Sequence, residues 1–172
     1  MALFCSANDV AVRQFGDVAE AFGAAVATAG YTLVYGGGAR GLMGIAAKAA
    51  HAAGGLVHGV MSQALRDREG ALEAIGTLEI AGTLMDRKAR MIALANAFVA
   101  LPGGIGTLDE FTDVVTLNDI GTIAKPIIIC NAKGFWTPLV GLMQHLDGHG
   151  MLRAGTRRAV IVADGVATTI ER

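Results

Sequence analysis

The stretch that decides the fold is Leu101-Pro102-Gly103-Gly104-Ile105-Gly106-Thr107-Leu108-Asp109-Glu110. The apolar residues 98–101 predict a buried parallel strand, and the proline ends it. The glycines then leave backbone N–H groups accessible at a helix start, where unpaired donors and the helix dipole favour a bound phosphate. The Thr107 hydroxyl is a further donor, and the Glu110 carboxylate follows one turn later. We therefore predict a strand, a phosphate-binding turn and a helix.

A second glycine-rich turn follows an earlier apolar segment. Residues 31–35 predict a strand, and Gly36, Gly37 and Gly38 come directly after it. Neither turn matches the glycine motif of dinucleotide-binding proteins or that of the P-loop. Because parallel strands end at the same sheet edge, both turns should face one cleft. Either turn alone could be purely structural, but the two together with Thr107 and Glu110 favour a ligand site.

Strands and helices alternate along the chain. The strands are continuously apolar, which is typical of parallel strands buried on both faces. Between them, Thr83 and Asp86 resemble a capping pair for a helix over residues 84–95, and another helix is expected from about Val10 to Ala29. The pattern predicts an α/β fold with a doubly wound, mostly parallel sheet flanked by helices, in a single domain over residues 1–172.

The composition narrows the classes of function. Of 172 residues, 53% are hydrophobic and 17% charged, which excludes disorder, and the net charge of −1 argues against a nucleic-acid partner. Every apolar run is too short to cross a membrane, and residues 1–4 are too short for a signal peptide. We therefore expect a cytoplasmic protein without a membrane partner. The high apolar content also favours a homo-oligomer.

Metal and cofactor chemistry are not expected. Cys5 and Cys130 lie in strand-like runs and are predicted to be buried thiols. The histidines show no ligand spacing, so no metal site is predicted; they are His51, His58, His145 and His149. A pyridoxal phosphate enzyme needs a Schiff-base lysine in a large cofactor site. No lysine has that context; the four are Lys48, Lys88, Lys125 and Lys133.

Three motifs together resemble the Lonely Guy (LOG) family of cytokinin-activating phosphoribohydrolases, often labelled "lysine decarboxylase". They are Tyr35-Gly36-Gly37-Gly38 with Gly41-Leu42-Met43-Gly44, Arg87-Lys88-Ala89-Arg90-Met91, and Pro102-Gly103-Gly104-Ile105-Gly106-Thr107 with Glu110. The resemblance implies a Rossmann-like fold, a homodimer and no required metal or cofactor. It also implies hydrolysis of the N-glycosidic bond of a nucleoside 5′-monophosphate, which releases the free base and ribose 5-phosphate.

The resemblance also implies roles for particular residues. The family's catalytic arginine and glutamate fall on Arg87 and Glu110. The substrate-binding positions fall on Glu69, Lys88, Gly103, Gly104, Ile105, Gly106, Thr107, Leu108, Asp109 and Thr116, and we add the upstream glycines 36–38. The chain departs from the family at three places. They are Cys5-Ser6-Ala7-Asn8 in place of Cys-Gly-Ser-Ser, Asp109 where glutamate is common, and Leu117 where plant members have tryptophan.

The predicted chemistry centres on Glu110. Cleavage of a ribosyl C–N bond develops positive charge on the sugar, which a carboxylate can stabilise, or the carboxylate can activate water. The helix start and Arg87 should favour the ionised form of Glu110. Arg87 could hold the phosphate or ribose hydroxyls, or assist departure of the base. Two alternatives stay open: a nucleotide or cofactor carrier similar to molybdenum-cofactor carrier proteins, and a general AMP nucleosidase without a hormone role.

Overall fold

A parallel sheet forms the centre of the molecule. The computed structural model describes residues 1–171, except the side chain of Glu69. Within them the strands are β1 (Ala2–Phe4), β2 (Leu33–Tyr35), β3 (Val57–Ser62), β4 (Thr77–Ala81), β5 (Phe98–Ala100), β6 (Ile127–Cys130) and β7 (Val160–Ala163). All pair in parallel, in the order β4-β3-β2-β1-β5-β6-β7. The predicted α/β fold with a doubly wound parallel sheet is confirmed.

Helices connect the strands. They are α1 (Val12–Thr28), α2 (Gly41–Ala52), α3 (Gln63–Glu69), α4 (Leu84–Leu94), α5 (Ile105–Asp119), α6 (Thr137–Gly148), α7 (Ala154–Ala159) and α8 (Val166–Ile170). The capping prediction for α4 is confirmed, because Thr83 Oγ1 accepts from the Asp86 N–H at 3.0 Å and the Thr83 N–H donates to the Asp86 carboxylate at 3.0 Å. Two short helices, α7 and α8, were not predicted.

Two apolar cores lie on the two faces of the sheet. Consecutive strand residues point to opposite faces, so Leu3 packs in one core while Phe4 packs in the other. The first core receives α1, α2 and α8, and the second receives α4, α5 and α6. Because β1, β2, β5 and β6 are buried along their whole length, continuous apolar runs are what the centre of the sheet requires.

The strand order reverses direction at β1. The chain adds β2, β3 and β4 on one side of β1, then returns to place β5 on the other side. Ligands of open α/β sheets bind beyond the carboxyl ends of the strands at such a switch point. Here the Ser6 N–H donates to Pro102 O at 3.1 Å, and Ser6 O accepts from the Leu42 N–H at 2.9 Å. The loop after β1 therefore joins the two glycine-rich regions.

Among the helices of residues 1–171, none combines the length and the apolar character that a membrane crossing requires.

Candidate active site

A cleft of about 340 Å³ opens at the switch point. Its lining residues are Cys5, Ser6, Ala7, Asn8, Met43, Leu65, Arg68, Leu84, Arg87, Gly104, Gly106, Thr107, Asp109 and Glu110. A larger hollow, of about 550 Å³, lies at the opposite edge, near the amino ends of the strands. Within residues 1–171, its lining includes no carboxylate and no guanidinium. The smaller cleft, by contrast, is lined by two carboxylates and two guanidinium groups.

A buried ion pair forms the floor of the cleft. Arg87 Nη1 donates to Glu110 Oε1 at 2.9 Å, and the two side chains are 7% and 10% exposed. Arg87 Nε also donates to the backbone oxygen of Val60 at 3.0 Å. The helices α4 and α5 thus each supply one partner, while β3 holds the guanidinium from behind. The structure brings together the two residues predicted to be catalytic.

Burial and charge act in opposite directions on Glu110. Burial raises the pKa of Glu110, the nearby Arg87 lowers it through its charge and hydrogen bond, and the net direction is upward. The expectation that the surroundings favour the ionised form is therefore only half right, because desolvation is the larger effect. Burial and the charge of Glu110 also raise the pKa of Cys5, which keeps that thiol protonated.

A second set of ion pairs stands beside the first. Lys88 Nζ contacts Asp109 Oδ2 at 3.0 Å and Asp113 Oδ2 at 2.6 Å, and the lysine side chain is 8% exposed. Hydrogen bonds from the ammonium to Asp113 and Asp109 raise the pKa of Lys88, although burial opposes this. Lys88 does not line the cleft, whereas Asp109 does. The ammonium of Lys88 therefore holds the Asp109 carboxylate in place and does not itself reach into the cleft.

The start of α5 forms one wall of the cleft. Gly104 precedes the first helical residue, and Gly104, Gly106 and Thr107 line the cleft. Gly103 lies beneath Thr107, because a β-carbon on Gly103 would overlap Thr107 Oγ1. Ile105 is 81% exposed and lies outside the lining. Leu108 packs against the second core instead.

Other predicted binding residues lie away from the cleft. Thr116 is exposed on α5, and six residues of helix place it on a different side of α5 from Glu110. None of Gly36, Gly37 and Gly38 is among the described residues that line the cleft. Gly36 lies against Arg87, whereas Gly37 and Gly38 lie against Met61. The backbone of Glu69 ends α3, and its side chain lies outside the described part of the structure.

Eight residues of the lining were not predicted as site residues; they are Cys5, Ser6, Ala7, Asn8, Met43, Leu65, Arg68 and Leu84. Ser6 and Asn8 follow β1 at the switch point, so their position was available from the strand order. Met43, Leu65 and Leu84 come from three different helices or helix starts, and no spacing in the sequence connects them.

The prediction that the histidines show no ligand spacing is wrong for two of them. His145 and His149 are one helical turn apart, with ring centroids 4.4 Å from each other, which is a possible spacing for two metal ligands. The His149 ring nitrogen Nδ1 lies 2.9 Å from His145 O. Across residues 1–171, no group of three or more His, Cys, Asp or Glu side chains could hold a metal ion.

Comparison with known proteins identifies the family. Residues 43–172 match the family model described as "Possible lysine decarboxylase". A cytokinin riboside 5′-monophosphate phosphoribohydrolase of Rhodococcoides fascians is 36% identical over 169 residues, which cover 98% of this chain and 85% of that protein. A cytokinin riboside 5′-monophosphate phosphoribohydrolase of Arabidopsis thaliana is 34% identical over 161 residues, which cover 94% of this chain and 76% of that protein. The chain belongs to this family, the LOG family.

Solved structures show the same fold. The molybdenum cofactor carrier protein of Chlamydomonas reinhardtii superposes with a TM-score of 0.76 at 22% identity, over 99% of this chain and 92% of that one. The molybdenum cofactor binding protein of Rippkaea orientalis superposes with a TM-score of 0.74 at 19% identity, over 99% of this chain and 92% of that one. At these identities the likeness concerns the fold alone.

Proposed function

We propose that the protein hydrolyses the N-glycosidic bond of a nucleoside 5′-monophosphate, releasing the free base and ribose 5-phosphate. One observation carries the proposal: a buried carboxylate, Glu110, is held by Arg87 on the floor of a cleft, one turn from an open helix start. Hydrolysis of a glycosidic bond uses a carboxylate near the anomeric carbon, and backbone N–H groups at a helix start bind a phosphate. The relatives named phosphoribohydrolases support the same activity.

The phosphate binds at the start of α5. The N–H groups of Gly106 and Thr107 lie in the first turn of a helix of 15 residues, where the dipole adds positive potential. Opposite them, Ser6 and Asn8 line the same cleft. Arg68, also in the lining, adds a positive charge at the side of α3. These groups together suit a dianionic phosphate and a ribose.

Glu110 acts on the ribose in this mechanism. The oxygen of a water forms a bond to the anomeric carbon while the C–N bond breaks. The electron pair of the C–N bond leaves with the base. Glu110 accepts one proton of the water and stabilises the positive charge on the sugar. The departing base takes up a proton from solvent and Glu110 returns its own proton to solvent, so the products are the neutral base and ribose 5-phosphate. The charge and the hydrogen bond of Arg87 lower the pKa of Glu110, against the larger effect of burial. Its positive charge also reaches the cleft, so Arg87 can bind the phosphate or ribose hydroxyls, or assist departure of the base.

A homodimer would explain the position of Thr116. On α4 and at the two ends of α5, large apolar side chains are exposed; they are Leu84, Met85, Ile105 and Ile120. Such a surface favours a second copy of the chain. In that arrangement Thr116 can bind substrate in the cleft of the partner subunit. Sedimentation of the purified protein tests this, because a monomer at every concentration would contradict it. The free cysteines and the nucleotide substrate favour the cytoplasm.

The second candidate is a nucleotide or cofactor carrier. It is favoured by the fold shared with molybdenum cofactor carrier proteins, whereas the Arg87–Glu110 pair favours an enzyme. A decarboxylase is not favoured, because three of the four lysines already have partners. Lys88 binds Asp109 and Asp113, Lys125 donates to Ile92 O, and Lys133 contacts Asp17. Lys48 is exposed on α2.

Incubation with nucleotides separates the candidates. The protein is mixed with AMP, with isopentenyladenosine monophosphate and with the two nucleosides, and free base is resolved by chromatography. We expect base release from at least one monophosphate and far less from its nucleoside. Nucleotide binding in a thermal-shift assay without base release would contradict the enzyme and favour the carrier. Preference for AMP would favour a general nucleosidase. Equal rates for nucleotide and nucleoside would contradict the phosphate site.

A further inference from the structure

Gly36, the residue after β2, lies directly against Arg87. A β-carbon at Gly36 would overlap Arg87 Nη2 and would stand 3.2 Å from Arg87 Cζ and 3.0 Å from Met43 Sδ. Unlike Gly37, which has a φ of 78°, Gly36 has no positive φ, so an alanine could adopt its backbone conformation. What demands glycine at residue 36 is therefore space for the guanidinium.

The other sides of the guanidinium are also occupied. Nε donates to Val60 O and Nη1 donates to Glu110, so the Gly36 backbone closes the side that faces Nη2. Arg87 is 6% exposed. Since each nitrogen meets a different element, the guanidinium has one position in which it can reach Glu110.

We infer that Gly36 is a positioning residue: its missing side chain leaves a slot through which the Arg87 guanidinium reaches the Glu110 carboxylate. The first glycine of this turn thus serves the ion pair rather than the ligand. The catalytic consequence rests on the proposed function of Glu110, whereas the slot itself does not.

The consequence for Glu110 follows from the groups that face it. Arg87 and Lys88 of α4 carry positive charges nearby, Asp109 precedes it on α5, and Cys5 follows β1. Arg87 is the principal group that opposes the effect of burial on the pKa of Glu110. If an alanine at residue 36 displaces the guanidinium, burial acts with less opposition, and the Glu110 carboxyl holds its proton to a higher pH.

Carbon-detected NMR of the Glu110 side-chain carboxyl tests the slot without any activity. We expect Gly36→Ala to raise the pKa of Glu110 in the wild-type background and to leave it unchanged in the Arg87→Lys background, where Nη2 is absent. Gly38→Ala is the matched control in the same turn, because its β-carbon would meet only the flexible end of Met43 at 3.2 Å and the end of Met61 at 4.0 Å. The control should leave the pKa unchanged.

Activity gives the second readout. Displacement of a catalytic group by about an ångström can cost roughly a hundredfold in rate, so we expect such a loss in kcat for Gly36→Ala. Its pH–rate profile should also move to higher pH. If no base is released by the wild-type protein, the proposed function fails, but the NMR result still decides the inference.

Three results would overturn the inference. One is an unchanged pKa of Glu110 in a folded Gly36→Ala variant, and another is an equal rise in Gly38→Ala. The third is an equal effect of Gly36→Ala in the wild-type and Arg87→Lys backgrounds, since this would mean that the turn itself is distorted. If Gly36→Ala does not fold, comparison of the Arg87→Lys double variant with Arg87→Lys alone decides: equal stability of the two supports the slot, and a lower stability of the double variant contradicts it.

Discussion

Substitution of Arg87 by methionine should destabilise the protein in a pH-dependent way. The substitution retains the apolar part of the side chain and removes the contacts at 2.9 Å to Glu110 and at 3.0 Å to Val60 O. Breaking one side of a buried ion pair costs about 3–5 kcal/mol when the remaining charge stays buried. We expect a loss of that size when the pH is above the folded-state pKa of Glu110, where the carboxyl is ionised.

At low pH the loss should be smaller. The folded-state pKa of Glu110 lies above its ordinary value of 4.5. Its contribution to stability is therefore complete below the unfolded pKa and is lost as the pH rises through the folded pKa. Without Arg87 the folded-state pKa of Glu110 rises further, so the protein loses more stability as the pH rises. Below pH 4.5, where the raised pKa leaves folded Glu110 mostly protonated, what remains is mainly the charged hydrogen bond to Val60 O, about 1.5–3 kcal/mol.

Urea unfolding at both pH values measures the two losses. Arg90→Met on the same helix is the matched control, because Arg90 pairs with Glu79 at 2.8 Å through side chains that are 45% and 35% exposed. An exposed pair contributes about 0–1 kcal/mol. The reasoning is refuted if Arg87→Met costs the same at both pH values, or if it costs no more than the control. Adding Glu110→Gln to Arg87→Met should remove the pH dependence.

Three further substitutions test separate parts of the structure. Gly103→Ala would overlap Thr107 Oγ1 and should weaken the thermal stabilisation by inorganic phosphate; undiminished stabilisation would place the anion elsewhere. Contacts to Asp113 raise the pKa of Lys88 above 10.5, so the wild type should have a higher free energy of unfolding than Lys88→Met until the pH rises beyond that value. Equal free energies of unfolding at neutral pH would contradict the ion pairs. Ile128→Ala, at a fully buried position, should cost about 2–5 kcal/mol in urea unfolding, and a loss under 1 kcal/mol would contradict its place in the core.

The fold could be predicted because its signals are local. Continuous apolar runs mark strands buried on both faces, and the Pro-Gly-Gly turn marks the passage from β5 into α5. The capping pair of Thr83 and Asp86 was visible from its spacing and is confirmed. The short helices α7 and α8 were not predicted, because runs of six and five residues carry too little periodicity to distinguish them from turns.

The site was predictable only in part. Arg87 and Glu110 were identified as partners, and the structure places them 2.9 Å apart. The net effect on the pKa of Glu110 depends on how deeply the carboxyl is buried, which no motif encodes. The contact between Gly36 and Arg87 joins residues 51 positions apart. Thr116 shows a third limit, because a motif gives the spacing of a residue along a helix, whereas the structure places Thr116 on a different side of α5 from Glu110.

Base release by Glu110→Gln is the most direct test of the proposed activity. Wild type and variant are incubated with isopentenyladenosine monophosphate and AMP, with Glu73→Gln, an exposed partner of Arg66, as the control. We predict that Glu110→Gln loses roughly a hundredfold or more in turnover while it still binds the nucleotide, and that the control matches the wild type. Unchanged turnover in Glu110→Gln would contradict the assignment of this carboxylate to the chemistry.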